Sequence, residues 1–171
     1  SFARGVPLYG VLVGLEYDET PVGGVIHLPA MRETVWGGRG QGAWHQRADT
    51  APTAARVSTV DRLADAMVCT TSYDYFRDAD CAPLHARLCR ASGSTRGWSD
   101  CSAHVLLATG RIDAVVEPLL SRWDISAVIA VIEAAGGRCT DFDGMDDPAC
   151  TAAIVSNGHL HEELLGLIAH P

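Results

Sequence analysis

The stretch "RWDISAVIAVIEAAGG", residues 122–137, constrains the fold more than any other part of the chain. Its spacing predicts a helix over 123–135 that ends at the glycine pair. One face of that helix is apolar: Ile125, Val128, Ile129, Ile132 and Ala135. The other side is apolar and small: Ala127, Ala130, Val131 and Ala134. A helix that is apolar all round is buried, so we expect other layers of structure to pack closely around it.

The chain around this helix alternates between strand-like and helix-like segments. We predict strands at 66–71, 94–97, 112–118, 138–142 and 151–156, and further helices at 79–91, 100–109 and 159–169. This alternation is typical of an α/β protein whose sheet is largely covered. The fold class predicted for residues 61–171 is therefore α/β.

Residues 1–60 have a different pattern, which predicts antiparallel hairpins. Two strand-like runs surround a turn at 18–21, and "ETVWGGRGQGAWHQ" indicates a glycine-rich hairpin. The "GGRGQG" within it resembles a nucleotide-binding loop, but no helix is predicted after it, so the hairpin is favoured. Residues 49–58 read as a polar connector. At 171 residues we expect one domain, 1–171, in which both parts form one layered structure.

The composition excludes several classes of function. The net charge is −8, and no basic stripe is present, which argues against a nucleic-acid or membrane-surface binder. No apolar run reaches the roughly 20 residues that span a bilayer, and no signal-peptide pattern is visible. The six cysteines form no C-x-x-C pair and are expected to be buried, reduced thiols, which favours a cytoplasmic protein.

Two carboxylates flank the turn that leads into the apolar helix. Asp124 stands at the helix start, where it can accept hydrogen bonds from free backbone N–H groups and so act as a cap. Alternatively, it faces a cleft at this strand-to-helix corner, where open α/β sheets bind ligands. Glu117 ends the preceding strand; it is either an ordinary surface glutamate or a second wall of the same cleft.

Two other strand-to-helix corners carry polar residues. Ser99 and Asp100 begin the helix over 100–109, where one of them is expected to be the N-cap. Asp100 is also an acceptor that a cationic ligand group could meet. At the end of the strand over 66–71, Thr70 and its neighbours either contact a phosphate or satisfy the strand end, and the residues favour neither alternative.

The motifs at these corners together resemble the inositol-monophosphatase family. "RWDISAVIAVIEAAGG" is similar to the family's W-D signature, and "LLATGRIDAVVE" matches its A-T-G, Asp and strand-ending Glu at the family's spacing. "STRGWSDCSAHVLLATG" looks most like the histidinol-phosphatase branch, in which Thr95, Arg96, Asp100 and Cys101 fit the pattern. Ser94 and Ser99 depart from it, because that branch often has Arg and usually has Gly at these places.

The resemblance implies a layered α-β-α-β-α sugar-phosphatase-like fold and a magnesium-dependent phosphomonoesterase that is commonly a homodimer. It implies Asp124 as a Mg²⁺ ligand and Glu117 as a contact to the alcohol part of a small phosphorylated metabolite. Asp100 and Ser99 would line the same end. L-Histidinol phosphate carries an ammonium and an imidazole, so a pair of carboxylates at that end would complement the positive charge of the substrate.

The family's first signature is an upstream Glu followed by D-P-x-D-G-(T/S), and it normally ends just before the position of Ser1. It supplies most of the metal ligands and is absent from the printed chain, so we expect the chain to be a piece of a longer enzyme. Three hypotheses follow: a histidinol-phosphate phosphatase, a phosphatase of inositol phosphate or another small sugar phosphate, and a truncated, non-catalytic remnant that acts as a binding or assembly module.

Overall fold

The computed structural model describes residues 1–98 and 100–169, which form ten strands, five α-helices and three single-turn 3₁₀ helices. The strands are β1 (Val11–Tyr17), β2 (Thr20–Leu28), β3 (Glu33–Gly38), β4 (Gly42–Arg47), β5 (Thr53–Ala55), β6 (Met67–Thr70), β7 (Ser94–Arg96), β8 (Ala114–Glu117), β9 (Arg138–Thr140) and β10 (Ala153–Ser156). The α-helices are α1 (Tyr73–Asp78), α2 (Ala82–Ala91), α3 (Asp100–Ala108), α4 (Arg122–Ala134) and α5 (His161–Ala169). The 3₁₀ helices are Phe2–Arg4, Pro29–Met31 and Leu63–Asp65. The prediction of an α/β fold is confirmed.

The first five strands form an antiparallel meander, the N-terminal sheet, in the order β1-β2-β3-β4-β5. Val13 pairs with Val25, which pairs with Trp36, and Trp36 pairs with Trp44 across the β3–β4 hairpin. The glycine-rich segment is therefore a hairpin connection, as predicted. The outer face of this sheet is open along β1, where Val13 is 58% exposed.

The other five strands form a mixed sheet, the C-terminal sheet, in the order β7-β6-β8-β10-β9. Strand β6 runs parallel to both β7 and β8, whereas β10 runs antiparallel to β8 and β9. The parallel strands β6 and β8 end on the same edge, each followed by a turn into a helix. This edge is where the residues of the candidate site come together.

Helices α3 and α4 lie between the two sheets. Their apolar side chains share one core with Ile26 and Val35 of the N-terminal sheet and with Val115 and Val155 of the C-terminal sheet. The opposite face of the C-terminal sheet packs against α1, α2 and α5 in a second core that includes Phe76. The order of layers in the described residues is sheet, helices, sheet, helices.

Helix α4 is buried as its sequence requires: every residue from Ile125 to Ile132 is buried. It can approach the N-terminal sheet closely because that sheet has glycine beneath it. A Cβ added to Gly24 would lie 2.9 Å from Cα of Ala127, and one added to Gly14 would lie 2.6 Å from Oγ of Ser126. Both distances are too short for a real Cβ, so these glycines set the spacing between helix and sheet.

Two elements were missed by the sequence prediction. The helix predicted over 79–91 is α2, which begins three residues later at Ala82, after Asp80 takes a left-handed conformation with φ 54°. Helix α1 precedes it and was not predicted. Helix α1 buries one residue, Phe76, and therefore has no apolar periodicity to detect. Strand β5 lies in the predicted polar connector and is fixed by pairing with β4, which is a non-local interaction.

The six cysteines are free thiols, as expected. Four of them are buried, but Cys89 is exposed and Cys81 is partly exposed, so the prediction of burial was wrong for these two. Within the described ranges, the structure has no helix with the length and apolar character that crossing a bilayer would need.

His161 forms a buried cross-link between α5 and the C-terminal sheet. Its Nε2 lies 2.9 Å from Oγ1 of Thr140, and its Nδ1 lies 2.9 Å from Oγ of Ser156. The Thr140 hydroxyl donates to the carbonyl of Asp141, so it must accept from His161, which places a proton on Nε2. Burial, together with the positive charge of Arg138, lowers the pKa of His161 from 6.5 to about 4.

Gly24→Ala is expected to lower the free energy of unfolding by about 1–3 kcal/mol, because the added methyl group meets the backbone of α4. Gly23→Ala is the matched control, since a Cβ there has no neighbour closer than 3.7 Å. That substitution should change stability by less than about 0.5 kcal/mol. Urea unfolding of both variants measures the difference, and equal effects would contradict the close packing of α4.

The buried neutral His161 is expected to make the protein less stable in acid. The unfolded chain binds this proton near pH 6.5 and the folded chain near pH 4, so stability is constant above that window and falls as pH decreases through it. The contribution to the slope approaches about 1.4 kcal/mol per pH unit. Denaturation curves between pH 7 and 4 should show a shallower decline for His161→Gln than for the wild type, and parallel declines would refute the assignment.

Candidate active site

A cavity with a volume of about 560 Å³ lies at the edge where β6 and β8 end. It is lined by residues that precede or belong to β1, that follow β6 and β8, and that begin α3 and α4: Tyr9, Gly10, Leu12, Thr71, Tyr75, Asp100, Cys101, His104, Glu117, Leu119, Leu120, Trp123 and Asp124. Three strand-to-helix corners thus meet around one space.

Three of the carboxylates singled out from the sequence face this cavity together. Asp100 comes from the first turn of α3, Glu117 from the last position of β8, and Asp124 from the first turn of α4. Among the described residues that line the cavity, none is Lys or Arg. The cavity is therefore strongly acidic and suited to cations.

Asp124 does cap α4, but from inside the helix. Helix α4 begins at Arg122, one residue earlier than predicted, and Ser121 is the N-cap. Oδ2 of Asp124 accepts a hydrogen bond of 3.0 Å from the backbone N–H of Ser121, as the third helical residue does in a capping box. The cap holds the carboxylate at the cavity wall, so the structural and functional readings of Asp124 are compatible.

Asp100 occupies a conformation that a non-glycine residue seldom takes, with φ 58°. Burial raises the pKa of its carboxyl group, and the negative charge of Glu117 raises it further, while His104 opposes the shift. Strained backbone and mutually repelling charges are both typical of functional sites. A bound cation would relieve the repulsion between the Asp100 and Glu117 carboxylates.

Glu117 is buried rather than an exposed strand-end residue, with 5% of its surface accessible. One of its carboxylate oxygens, Oε2, lies 3.4 Å from Nε2 of His104. Since Glu117 and His104 both line the cavity, the buried pair forms part of its wall.

The corner after β6 contributes a different residue from the one predicted. Thr70 is buried within the sheet and does not reach the cavity, whereas its neighbour Thr71 lines it. The hydroxyl of Thr71 is buried and has no hydrogen-bond partner in the part of the chain that the structure describes. The predicted Ser99 contact lies outside the described residues.

Sequence reasoning did not identify His104 or the aromatic rim formed by Tyr9, Tyr75 and Trp123. His104 had a detectable signal, because it follows Asp100 by four residues and must share its side of α3. Tyr9 and Tyr75 had none, since only the tertiary fold brings them to the cavity.

Asp124 is the residue whose chemistry suits a metal ion. Carboxylate oxygens are the ligands that a hard divalent cation prefers, and Asp124 offers one. Yet residues 1–98 and 100–169 contain no group of three or more His, Cys, Asp or Glu side chains placed to hold an ion. The carboxylate of Asp124 has the chemistry that a divalent cation prefers, but the described residues offer too few ligands to hold one. No step of a reaction is therefore assigned to a metal ion on the basis of these residues alone.

Removing the charge of Glu117 is expected to lower the pKa of Asp100, because a like charge no longer opposes ionisation. NMR titration of the Asp100 carboxyl carbon in Glu117→Gln measures the change. Exposed Glu19→Gln serves as the control and should leave that titration unaltered. An unchanged Asp100 titration in Glu117→Gln would show that the two carboxylates are not coupled.

Residues 1–170 match the sequence model of the inositol monophosphatase family. The histidinol-phosphatase of Chlorobaculum parvum is 34% identical over 99% of this chain and 64% of its own length. That of Mycobacterium tuberculosis is 33% identical over 96% of this chain and 64% of its own length. An inositol-1-monophosphatase of Mesorhizobium japonicum is 30% identical over 96% of this chain. The chain thus spans less than two thirds of the length of these relatives.

Solved structures agree with the sequence relationship. An inositol monophosphatase from Zymomonas mobilis superimposes with a TM-score of 0.88, at 24% identity, over 98% of this chain and 65% of that one. One from Thermotoga maritima gives a TM-score of 0.83 at 27% identity, over 98% of this chain and 63% of that one. The chain belongs to the inositol monophosphatase family.

Proposed function

We propose that the protein is a metal-dependent phosphomonoesterase and that its preferred substrate is L-histidinol phosphate. The observation that carries the substrate assignment is the pair of carboxylates, Asp100 and Glu117, that face one cavity and are electrostatically coupled. A substrate with a positively charged alcohol part relieves their repulsion. Relatives named histidinol-phosphatase, with 33–34% identity, support the same assignment.

The charge of the cavity supports the metal requirement. A phosphate monoester is an anion, and a wall with three carboxylates and neither Lys nor Arg among its described residues would repel it. A divalent cation at the Asp124 end would reverse this repulsion. Mg²⁺ is the ion proposed, because the available ligand is a carboxylate oxygen.

The residues of the cavity then divide into two ends. Asp124, fixed by its hydrogen bond to Ser121, marks the phosphate end. Asp100 and Glu117 mark the alcohol end, where they bind and orient the cationic part of the substrate. A divalent cation held in part by Asp124 would supply Lewis-acid chemistry at the phosphate end.

The experiment compares hydrolysis of L-histidinol phosphate, inositol 1-phosphate and glycerol 2-phosphate by the purified protein, with Mg²⁺ and with EDTA. We expect Mg²⁺-dependent hydrolysis with the highest kcat/KM for L-histidinol phosphate. Asp100→Asn should lower that kcat/KM about 10- to 100-fold, as expected for the loss of one hydrogen bond to a charged group. Its kcat/KM for inositol 1-phosphate should be nearly unchanged.

Asp143→Asn is the matched control, since Asp143 is exposed and does not line the cavity. Equal turnover of L-histidinol phosphate and inositol 1-phosphate would instead favour a broad sugar-phosphate phosphatase, in line with the inositol-1-monophosphatase relatives. Absence of hydrolysis of every ester in Mg²⁺ would contradict the enzymatic function and favour a binding module.

A further inference from the structure

His104 and His161 are both almost fully buried, yet their environments differ. Both ring nitrogens of His161 have hydroxyl partners, which is the arrangement expected of a histidine with a purely structural role. His104 has Glu117 on one side, and its Nδ1 has no hydrogen-bond partner among the described residues. A half-satisfied buried imidazole is costly, so its retention calls for a reason beyond packing.

The position of His104 supplies that reason. It lies four residues after Asp100 and therefore on the same side of α3, next to the cavity. Its Nε2 is 3.4 Å from Oε2 of Glu117. Within the described ranges, His104 is the one basic side chain recorded within 4.0 Å of the Glu117 carboxylate. The imidazole thus contacts one carboxylate of the acidic pair and lies one helical turn from the other.

We propose that His104 is a positioning residue that holds the Glu117 carboxylate in the orientation in which it receives the cationic part of the substrate. This inference rests on the proposed function, in that the substrate is a cationic phosphate ester. His104 engages Oε2, so the other oxygen of Glu117 is left to bind the ligand. Without His104, the glutamate side chain would rotate among its rotamers and bind the cation less well.

The test compares His104→Leu, which removes both ring nitrogens, with His104→Gln, whose amide N–H can still reach Glu117. Binding of L-histidinol is measured by calorimetry, which does not depend on phosphatase activity. We expect His104→Leu to raise the Kd for L-histidinol about tenfold and His104→Gln to remain within about threefold of the wild type. His104→Asn is too short to reach Glu117 and should behave like His104→Leu, which provides a second comparison if the leucine variant does not fold.

Steady-state kinetics separate positioning from general damage. For His104→Leu, the KM for L-histidinol phosphate should rise about tenfold while kcat changes less than about threefold. The KM for inositol 1-phosphate should not change, because that alcohol carries no cation. His161→Gln is the matched control: it removes a buried histidine outside the cavity and should lower thermal stability without changing the Kd for L-histidinol.

Each contrary result overturns the inference. An unchanged Kd in His104→Leu, no recovery in His104→Gln, or an equal rise in KM for both esters would show that His104 does not position Glu117. Failure of the wild type to bind L-histidinol would also overturn the inference, because Glu117 would then have no cationic ligand to receive. If the wild type binds L-histidinol but hydrolyses no ester, the proposed phosphatase activity is wrong. The effect of His104→Leu on the Kd for L-histidinol still tests whether His104 positions Glu117.

Discussion

The burial of α4 is the constraint on which the rest of the structure depends. The helix is apolar on every side, so it is stable only with a sheet on one side and further apolar structure on the other. The core around it accordingly includes residues of both sheets. The capping box at Ser121 fixes the start of the helix and holds the carboxylate of Asp124 at the wall of the cavity.

The candidate site differs from the core, because it is built from charged and polar side chains. Three carboxylates converge where the strands β6 and β8 end, and the structure supports each in a different way: a backbone cap for Asp124, an imidazole for Glu117, and a strained left-handed backbone for Asp100. The negative charge of Glu117 raises the pKa of Asp100, so these two carboxylates repel each other. Stability and recognition therefore oppose each other at this edge of the sheet, as they commonly do at functional sites.

The sequence predicted those features that depend on local patterns. Apolar periodicity predicted α4 and its burial, strand-helix alternation predicted the C-terminal sheet, and corner positions identified Asp100, Glu117 and Asp124. It missed α1, whose single buried residue Phe76 gives no periodicity, and β5, which exists through pairing with β4. At the corner after β6, Thr70 ends the strand and is buried, whereas Thr71 follows the strand and lines the cavity, and the sequence pattern does not show where the strand ends.

The contact between Gly24 and α4 also limits how this protein can change over evolutionary time. The atoms of Ala127 that an added Cβ at residue 24 would meet are backbone atoms, including Cα and the carbonyl carbon. No substitution at residue 127 can remove them, so a larger residue 24 cannot be accommodated by a compensating change in its neighbour. The remaining route is to shift α4 as a whole, and Asp124 lies one turn before Ala127 on that helix. A larger residue at position 24 would therefore also displace the Asp124 carboxylate from its place at the cavity. Gly24 has no chemical role in the site, yet the position of that carboxylate depends on it.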